Sequence, residues 1–397
     1  MCPGSSSSSL CLCLCSSRTQ ENFTVPGAAA GEMAGEAFGA VMRLENLLRM
    51  GMFWTLAVIY SYAQLLHQKL FRSGIIFSRS PRIAPDGARL VCIVTGASSG
   101  IGRATAEALA VHGYHVILAG RARTRLLEVV WAIRRKHDNV SLEALELDLC
   151  SVGSILSFVD QVKSMLQASQ GSKALQLLVN NAGILAGSSR CTETGSDSMI
   201  TSNYLGPYLL TQHLLPHFHQ GHPRARIVNV TSFTHRCVRA GIVDEKQLAR
   251  GSLANFPLHK SWYSLAQVYE NSKFCLLLFT YELHRRFHDG TDSFKLSVMA
   301  ADPGIVRTNI MRELPSSLVS FTYFVLGILR LLQDPSDGSK AVLDAALAPE
   351  DLSGEYFFGG NGRTVRSSAL SYDKVLAKQI WRLSNSICQR AMENEEQ

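Results

Sequence analysis

Between about residue 87 and residue 300, compact apolar runs of strand length alternate with segments of helical period. The runs are residues 90–95 (LVCIVT), 116–119, 142–147, 175–180, 226–230 and 295–300. Short apolar runs bounded by glycines and polar turns read as strands, and strands that alternate with helices predict a parallel sheet. The expected fold is therefore α/β, a Rossmann-type doubly wound sheet with helices on both faces. In such a fold ligands bind at the carboxyl ends of the strands.

A different pattern precedes this region. Residues 51–66 (GMFWTLAVIYSYAQLL) carry no formal charge, and a full membrane span needs about 20 apolar residues, with 17 as the usual lower limit. Including Leu47 and Leu48 lengthens the stretch at the cost of Arg49, whose long stem can reach an interface. Trp54, Tyr60 and Tyr62 would suit the headgroup region. The stretch does not end in the small residues of a cleavable signal. An uncleaved membrane anchor over 42–72 is the expectation, with a buried or interfacial helix as the alternative. Lys69, Arg72, Arg79 and Arg82 follow it, and only Arg43 and Arg49 precede it closely, so the positive-inside rule places the following domain in the cytosol.

Residues 1–41 hold a serine run and the alternation CLCLC, with no helical or strand period. They read as a disordered or processed segment. Cys11, Cys13 and Cys15 are either acylation sites or a low-complexity accident. The remaining partition is a linker over 73–86, a catalytic domain over 87–365 and a helical C-terminal extension and tail over 366–397.

Composition narrows the function classes. With 46% apolar and 18% charged residues in 397, the chain can bury one large α/β core plus appendages. The net charge of +7 comes from scattered lysines and arginines, without the basic stripe that nucleic acid requires. A lipid bilayer with anionic headgroups is the better partner for that charge. Ten cysteines show neither CxxC pairs nor Cys/His ligand spacing, which argues for reduced, cytosol-facing thiols and no zinc site.

The sequence TGASSGIG (95–102) closes the first strand and opens the first helix. Gly96, Gly100 and Gly102 allow a tight turn and close approach of a pyrophosphate to the free N–H groups of the helix start. Enzymes that prefer NAD place an acid at the end of the second strand. Here the sequence is LAGRAR, with Arg121 and Arg123, and a guanidinium suits a 2′-phosphate. NADP(H) is the expected cofactor. Further along, SWYSLAQVYENSK (261–273) offers two tyrosines. A phenol with a pKa of about 10 needs a nearby cation to act at neutral pH, and residues four apart share a helix face. Tyr269 has Lys273 at that offset, whereas Tyr263 has Gln267. Tyr281 with Arg285 repeats the spacing, but twelve residues on, about 18 Å along a helix, and reads as packing plus a surface charge.

TGASSGIG, NNAG (180–183), IVNVTS ending at Ser232, YENSK (269–273) and DPGIVRT (302–308) stand in the order of the short-chain dehydrogenase/reductase family, which the chain resembles over roughly 88–360. It is most similar to the membrane-anchored retinol dehydrogenase and chromosome-X dehydrogenase/reductase subgroup, through SNYLGPYLLT (202–211), FTYELHRRF and SGEYF. The resemblance implies a catalytic set. Tyr269 is the general acid or base, Lys273 holds the nicotinamide ribose and lowers the tyrosine pKa, Ser232 binds the substrate oxygen, and Asn203 anchors a proton-relaying water.

It also implies a cofactor cleft lined by Gly96, Ser98, Ser99, Gly100, Ile101, Gly102 and Arg121. Asp148, Leu149, Asn181, Ala182 and Gly183 follow along the adenosine half, and Pro303, Gly304 and Thr308 lie near the nicotinamide, with Tyr269 and Lys273. Taken singly, Ser232 could be a turn residue, Asn203 a cap and Asp148 an N-cap; in family order the functional roles are favoured. The 37 residues between Ser232 and Tyr269, with Phe256, Trp262 and Tyr263, would form a substrate wall. The oily stretch 318–332 would be the lid, or a plain packed helix.

The expected activity is NADP(H)-dependent interconversion of a small hydrophobic alcohol, retinoid, polyprenoid or sterol-like, with its aldehyde or ketone. A dinucleotide-sensing regulatory role with vestigial catalysis is the alternative. The resemblance suggests the endoplasmic reticulum membrane with the domain facing the cytosol, or else a plastid envelope, and leaves a homodimer open.

Overall fold

The computed structural model describes residues 49–71, 76–79, 89–168, 173–219, 224–241, 243–253, 264–288 and 296–395. The segment 1–41 with its three cysteines, and Phe256, Trp262 and Tyr263 of the expected substrate wall, lie outside the described residues. The sheet contains β1 (Arg89–Thr95), β2 (His115–Gly120), β3 (Ser141–Glu146), β4 (Lys173–Asn180), β5 (Arg226–Val230), β6 (Ser297–Asp302) and β7 (Tyr356–Phe358). Its order is β3-β2-β1-β4-β5-β6-β7, and every pair is parallel. This is a Rossmann-like arrangement. The order reverses between β1 and β4, and the crevice outside their carboxyl ends is where such sheets bind ligands.

Helices α2 (Gly100–Val111), α3 (Arg123–Lys136), α4 (Val152–Ala168), α5 (Gly206–Leu214), α6 (Leu265–His288), α7 (Ser316–Ile328), α8 (Pro335–Ala346) and α9 (Lys374–Glu395) surround the sheet; α1 is described below. One apolar cluster joins alternate strand residues such as Val91, Ile93 and Ile117 to α4, α5, α6 and α9. The other joins Cys92, Val94 and Val116 to α2, α3 and α8. Adjacent strand residues thus feed opposite layers, as the period of two requires, and the runs are continuously apolar because both faces are covered. β7 is only three residues long, too short to stand out as a pattern in the sequence.

Polar groups that enter this core do so with partners. Arg226 is fully buried on β5, yet its guanidinium donates to the carbonyls of Ala345, Ala346, Ala348 and Pro349, and to Ser297 Oγ at 2.9 Å. Ala345 and Ala346 end α8 and the other two follow it; the last helical turn lacks helical donors for its carbonyls and carries the negative end of the helix dipole.

The stretch expected to span a membrane forms α1 (Trp54–Phe71), preceded by a π-helical turn over Arg49–Phe53. No helix among the described residues is long and apolar enough to cross a membrane. Instead α1 buries Trp54, Ala57, Val58, Ser61 and Leu65 against the catalytic domain. Gln68 donates to the Thr364 carbonyl at 2.9 Å, Arg236 to Ser61 Oγ at 3.1 Å, and Gln333 to the Tyr62 hydroxyl at 2.9 Å. The anchor expectation is thereby corrected. A run of sixteen uncharged residues is too short for hydrocarbon and long enough for a docked helix.

Candidate active site

The cofactor cleft opens at the reversal point. Thr95, the last residue of β1, accepts through its hydroxyl from the backbone N–H groups of Asn181 and Ala182, both at 3.0 Å, and Asn181 Nδ2 donates to the Thr95 carbonyl at 2.8 Å. The ends of β1 and β4 are thereby fixed to each other. The glycine loop is packed into this joint. Gly96 has φ +67°, and a Cβ there would meet Ala182 Cα at 2.9 Å; a Cβ on Gly102 would meet the Gly96 carbonyl oxygen at 2.5 Å. Gly100, at φ +55°, lies against Thr308 Cγ2. Ser99 precedes α2 in extended conformation and its side chain makes no capping bond, which leaves the first-turn N–H groups to a ligand in the cleft.

Gly96, Ser98, Ser99, Gly100, Ile101 and Gly102 line that cleft, as do Arg121, Asp148, Leu149, Asn181, Ala182, Gly183, Pro303, Thr308, Tyr269 and Lys273. Arg121 is exposed at the carboxyl end of β2. Asp148 Oδ1 accepts from the Cys150 N–H at 2.9 Å. Thr308 caps the short 3₁₀ turn Asn309–Met311. Gly304 is not among the lining residues; its φ is +73°, and a Cβ there would meet Gln333 Nε2 at 2.8 Å. The cleft fits a nicotinamide dinucleotide. It has a cradle only glycine permits, uncapped helix donors and the Arg121 guanidinium in its lining.

The expected catalytic side chains converge at the other end of the cleft. Tyr269 and Lys273 sit one turn apart on α6, both buried. Ser232 lies two residues past β5; its hydroxyl accepts from the Thr234 N–H at 3.3 Å and is near enough to the Tyr269 phenol to pull its pKa down. Lys273 Nζ donates to the Val230 carbonyl at 2.9 Å, and Thr231 Oγ1 to the Lys273 carbonyl at 3.0 Å, tying α6 to the strand end. Asn203 lies in a π-helical stretch, Thr201–Leu205, a distortion that often accompanies functional sites. Its side chain exchanges two hydrogen bonds with the Ile184 backbone, at 2.8 and 3.0 Å, and donates to Ser272 Oγ at 3.0 Å. A Cβ on Gly183 would stand 3.2 Å from Lys273 Nζ and 3.4 Å from Asn203 Oδ1. Both polar atoms therefore close on one glycine.

A model of the short chain dehydrogenase family matches residues 90–242. Human polyprenol dehydrogenase is 32% identical over 73% of this chain and 82% of its own length. Mouse retinol dehydrogenase 13 is 32% identical over 76% and 84%. The chain belongs to the short chain dehydrogenase family. A solved structure of an uncharacterised protein from Mycobacterium paratuberculosis superposes with a TM-score of 0.57 at 29% identity, over 80% of this chain and 98% of that one. Membership makes the protein an oxidoreductase acting on CH–OH groups with a nicotinamide dinucleotide, and gives the Tyr269–Lys273 spacing its family context.

The electrostatics differ from the simple expectation. Burial pushes the Tyr269 phenol well up, the Asp302 carboxylate pushes it further, and the Ser232 hydrogen bond opposes both. Burial also pushes Lys273 down to about 8, against the pull of Asp302. An ammonium that loses its proton as the pH rises through about 8 is neutral at the higher pH where this phenol would ionise. The expected lowering of Tyr269 by Lys273 therefore does not arise in the protein alone, because desolvation acts on both groups.

Two residues escaped the sequence reading. Asp302, the acid of DPG, is fully buried at the end of β6 and accepts from the Tyr356 hydroxyl at 2.6 Å and the Gly304 N–H at 2.9 Å. A carboxylate closing an otherwise apolar strand was the available signal. His235, three residues past Ser232, bonds the Ser232 carbonyl through Nδ1 at 2.7 Å and accepts from the Ser368 N–H at 3.0 Å. Burial pushes its pKa to about 3, so it stays neutral and braces Ser232. The decoy resolves as packing: Tyr281 is hydrogen-bonded to Ser367 at 2.7 Å and stacks on Tyr372, while Arg285 pairs with Glu282 at 2.8 Å.

Beside the Tyr269 end lies a second, apolar chamber of about 390 Å³. Met50, Trp54, Phe233, Met311, Leu318 and Phe321 are among its walls. Shared and consecutive residues join it to the catalytic end: the Trp54 ring packs on Tyr269 and lines the chamber, and Ile310 lines the cleft while Met311 lines the chamber.

Proposed function

We propose that the protein is an NADP(H)-dependent oxidoreductase that interconverts a hydrophobic alcohol of retinoid, polyprenoid or sterol-like class with its aldehyde or ketone. The observation that carries this reading is the apolar chamber whose Trp54 wall packs on Tyr269, itself at the end of the dinucleotide cleft. The named activities of the polyprenol and retinol dehydrogenases that it resembles point the same way.

In reduction, Ser232 hydrogen-bonds the carbonyl oxygen and Tyr269, whose high pKa keeps it protonated, donates its proton to that oxygen. In oxidation the same pair receives the alcohol proton. Lys273 would hold the ribose hydroxyls of the bound cofactor. Asn203, held by the Ile184 backbone and the Ser272 hydroxyl, would anchor a relaying water. When bound, the cofactor supplies or takes the hydride, and the protein supplies orientation and proton transfer. Arg121 would pair with the 2′-phosphate of NADP(H), a geometry suited to guanidinium.

Association with a membrane surface belongs to the same reading. The outward faces of α1 and α7 carry Leu56, Ile59, Tyr60, Leu70, Phe321, Phe324 and Ile328, all exposed, and both helices border the apolar chamber. Helices with such faces lie in the headgroup plane. An endoplasmic reticulum location follows the family resemblance.

The direct test is NADPH oxidation by the purified chain with retinal, a prenal series and a ketosteroid. Turnover with at least one of them, and a loss of about a hundredfold or more in Tyr269→Phe, is expected from the size of acid-base contributions. NADPH binding without turnover of any of them would favour the sensing role instead.

A further inference from the structure

Trp54 and Glu270 are buried beside the catalytic tyrosine and take no part in the chemistry above. Glu270 follows Tyr269 on α6, and its side chain is only 1% exposed. Its carboxylate accepts from Trp54 Nε1 at 2.7 Å and from Arg49 at 2.6 Å. Both donors come from the segment that opens α1, 216 and 221 residues away in sequence. Arg49 also donates to the Cys237 carbonyl at 3.4 Å, five residues past Ser232. Held this way, the Trp54 ring packs on Tyr269 with centroids 5.6 Å apart and also lines the apolar chamber.

A carboxylate is rarely buried without paired or hydrogen-bonded partners. Here each partner fastens the same foreign helix to the residue next to Tyr269. The chamber also lacks a wall without Met50, Gly51, Trp54 and Thr55, since its other walls come from α7, Phe233, Ile305, Met311 and Leu314.

We propose that α1 is a working part of the substrate site, with Trp54 as a specificity-determining residue and Glu270 as the positioning residue that seats it. The chamber takes the apolar chain of the substrate, and the Trp54 ring carries that chain toward Tyr269. This rests on the reading of the substrate as a hydrophobic alcohol or carbonyl. A pattern that resembles a membrane anchor in the sequence is then the inner wall of the enzyme.

The test uses the full chain with NADPH and two aldehydes, geranylgeranial and 3-methylbut-2-enal, in the wild type, Trp54→Ala, Trp54→Phe, Glu270→Ala and Glu270→Gln. Trp54→Ala is expected to lower kcat/KM for geranylgeranial about tenfold or more, through KM, because each lost apolar contact is worth a factor of that order. The short aldehyde, which does not reach the chamber, should lose far less, and NADPH affinity should hold. Glu270→Ala should reproduce the Trp54→Ala pattern, and Glu270→Gln, which can still accept from the indole, should restore most of it. Should Glu270→Ala fail to fold, Trp54→Phe and Glu270→Gln carry the comparison.

An equal fall for both aldehydes, or a fall in kcat with KM unchanged, would overturn the proposal in favour of a brace for Tyr269 alone. A wild type that turns over neither aldehyde would remove the prenyl aldehydes from the proposed substrate class instead. Calorimetric binding of geranylgeraniol to the NADP-loaded chain would then judge the chamber by itself. Binding weakened about tenfold in Trp54→Ala supports it, and no binding, or binding equal in both, overturns it.

Discussion

Replacing Gly102 by alanine adds one methyl group to the tightest point of the cofactor loop. The new Cβ would stand 2.5 Å from the Gly96 carbonyl oxygen and would also overlap Asn181 Nδ2. Real Cβ contacts essentially never fall below 3.0 Å, so loop and helix must separate by half an ångström or more. The contact is with backbone, and no rotamer change relieves it. Overpacking of this kind costs about 1–3 kcal/mol. Since about 1.4 kcal/mol is tenfold in an equilibrium constant, NADPH binding should weaken by roughly 5- to 150-fold if the strain falls on the bound state.

Fluorescence titration with NADPH and calorimetric melting, with and without the cofactor, separate that outcome from global destabilisation. Asn181→Ala combined with Gly102→Ala should not recover binding, because the Gly96 oxygen stays in place. NADPH affinity within threefold of the wild type, together with an unchanged Tm, would refute the idea that these glycines form a fitted cradle.

Other perturbations address the remaining roles. Arg121→Glu should shift the NADPH:NADH preference toward NADH by about 10- to 100-fold, the scale of a charged hydrogen bond; an unchanged ratio of kcat/KM values for the two cofactors would rule Arg121 out as the phosphate ligand. Lys273 keeps its charge below about pH 8 and loses it above, so kcat/KM for NADPH, which reports free-enzyme groups, should decline as pH rises through about 8. Lys273→Arg, charged throughout, should abolish that decline, and an identical profile in the variant would assign it elsewhere. The same group has a folded-state pKa below its ordinary 10.5. The unfolded chain therefore binds more protons between about 8 and 10.5, and this group's contribution to stability rises with pH across that window. The chain should float with liposomes, and Leu56→Glu with Phe324→Glu should release it; flotation that survives both charges would place the membrane contact outside α1 and α7.

The parallel sheet was legible in the sequence because strands covered on both faces must be apolar at successive positions, and six such runs stand between helical segments. The glycine loop was legible for a similar local reason: a turn, a backbone approach and a helix start within eight residues leave little choice of side chain. The pairing of Tyr269 with Lys273 followed from helical spacing alone. The surroundings of Gly304 were not legible, because they depend on Gln333 and Tyr62, which lie far away in the chain.

What the sequence by itself determined, then, is what depends on neighbours along the chain: the strand and helix periods, the turn glycines and the i,i+4 pair. Only the tertiary structure decided the rest. It turned the charge-free stretch at 51–66 into a docked wall, because a hydrophobic run records the need for burial and does not say whether lipid or protein provides it. It also set the ionisation of Tyr269 and Lys273, since desolvation and the Asp302 carboxylate depend on how α6 and β6 are brought together. Trp54, Glu270 and Tyr269 meet for the same reason, across more than two hundred residues of chain.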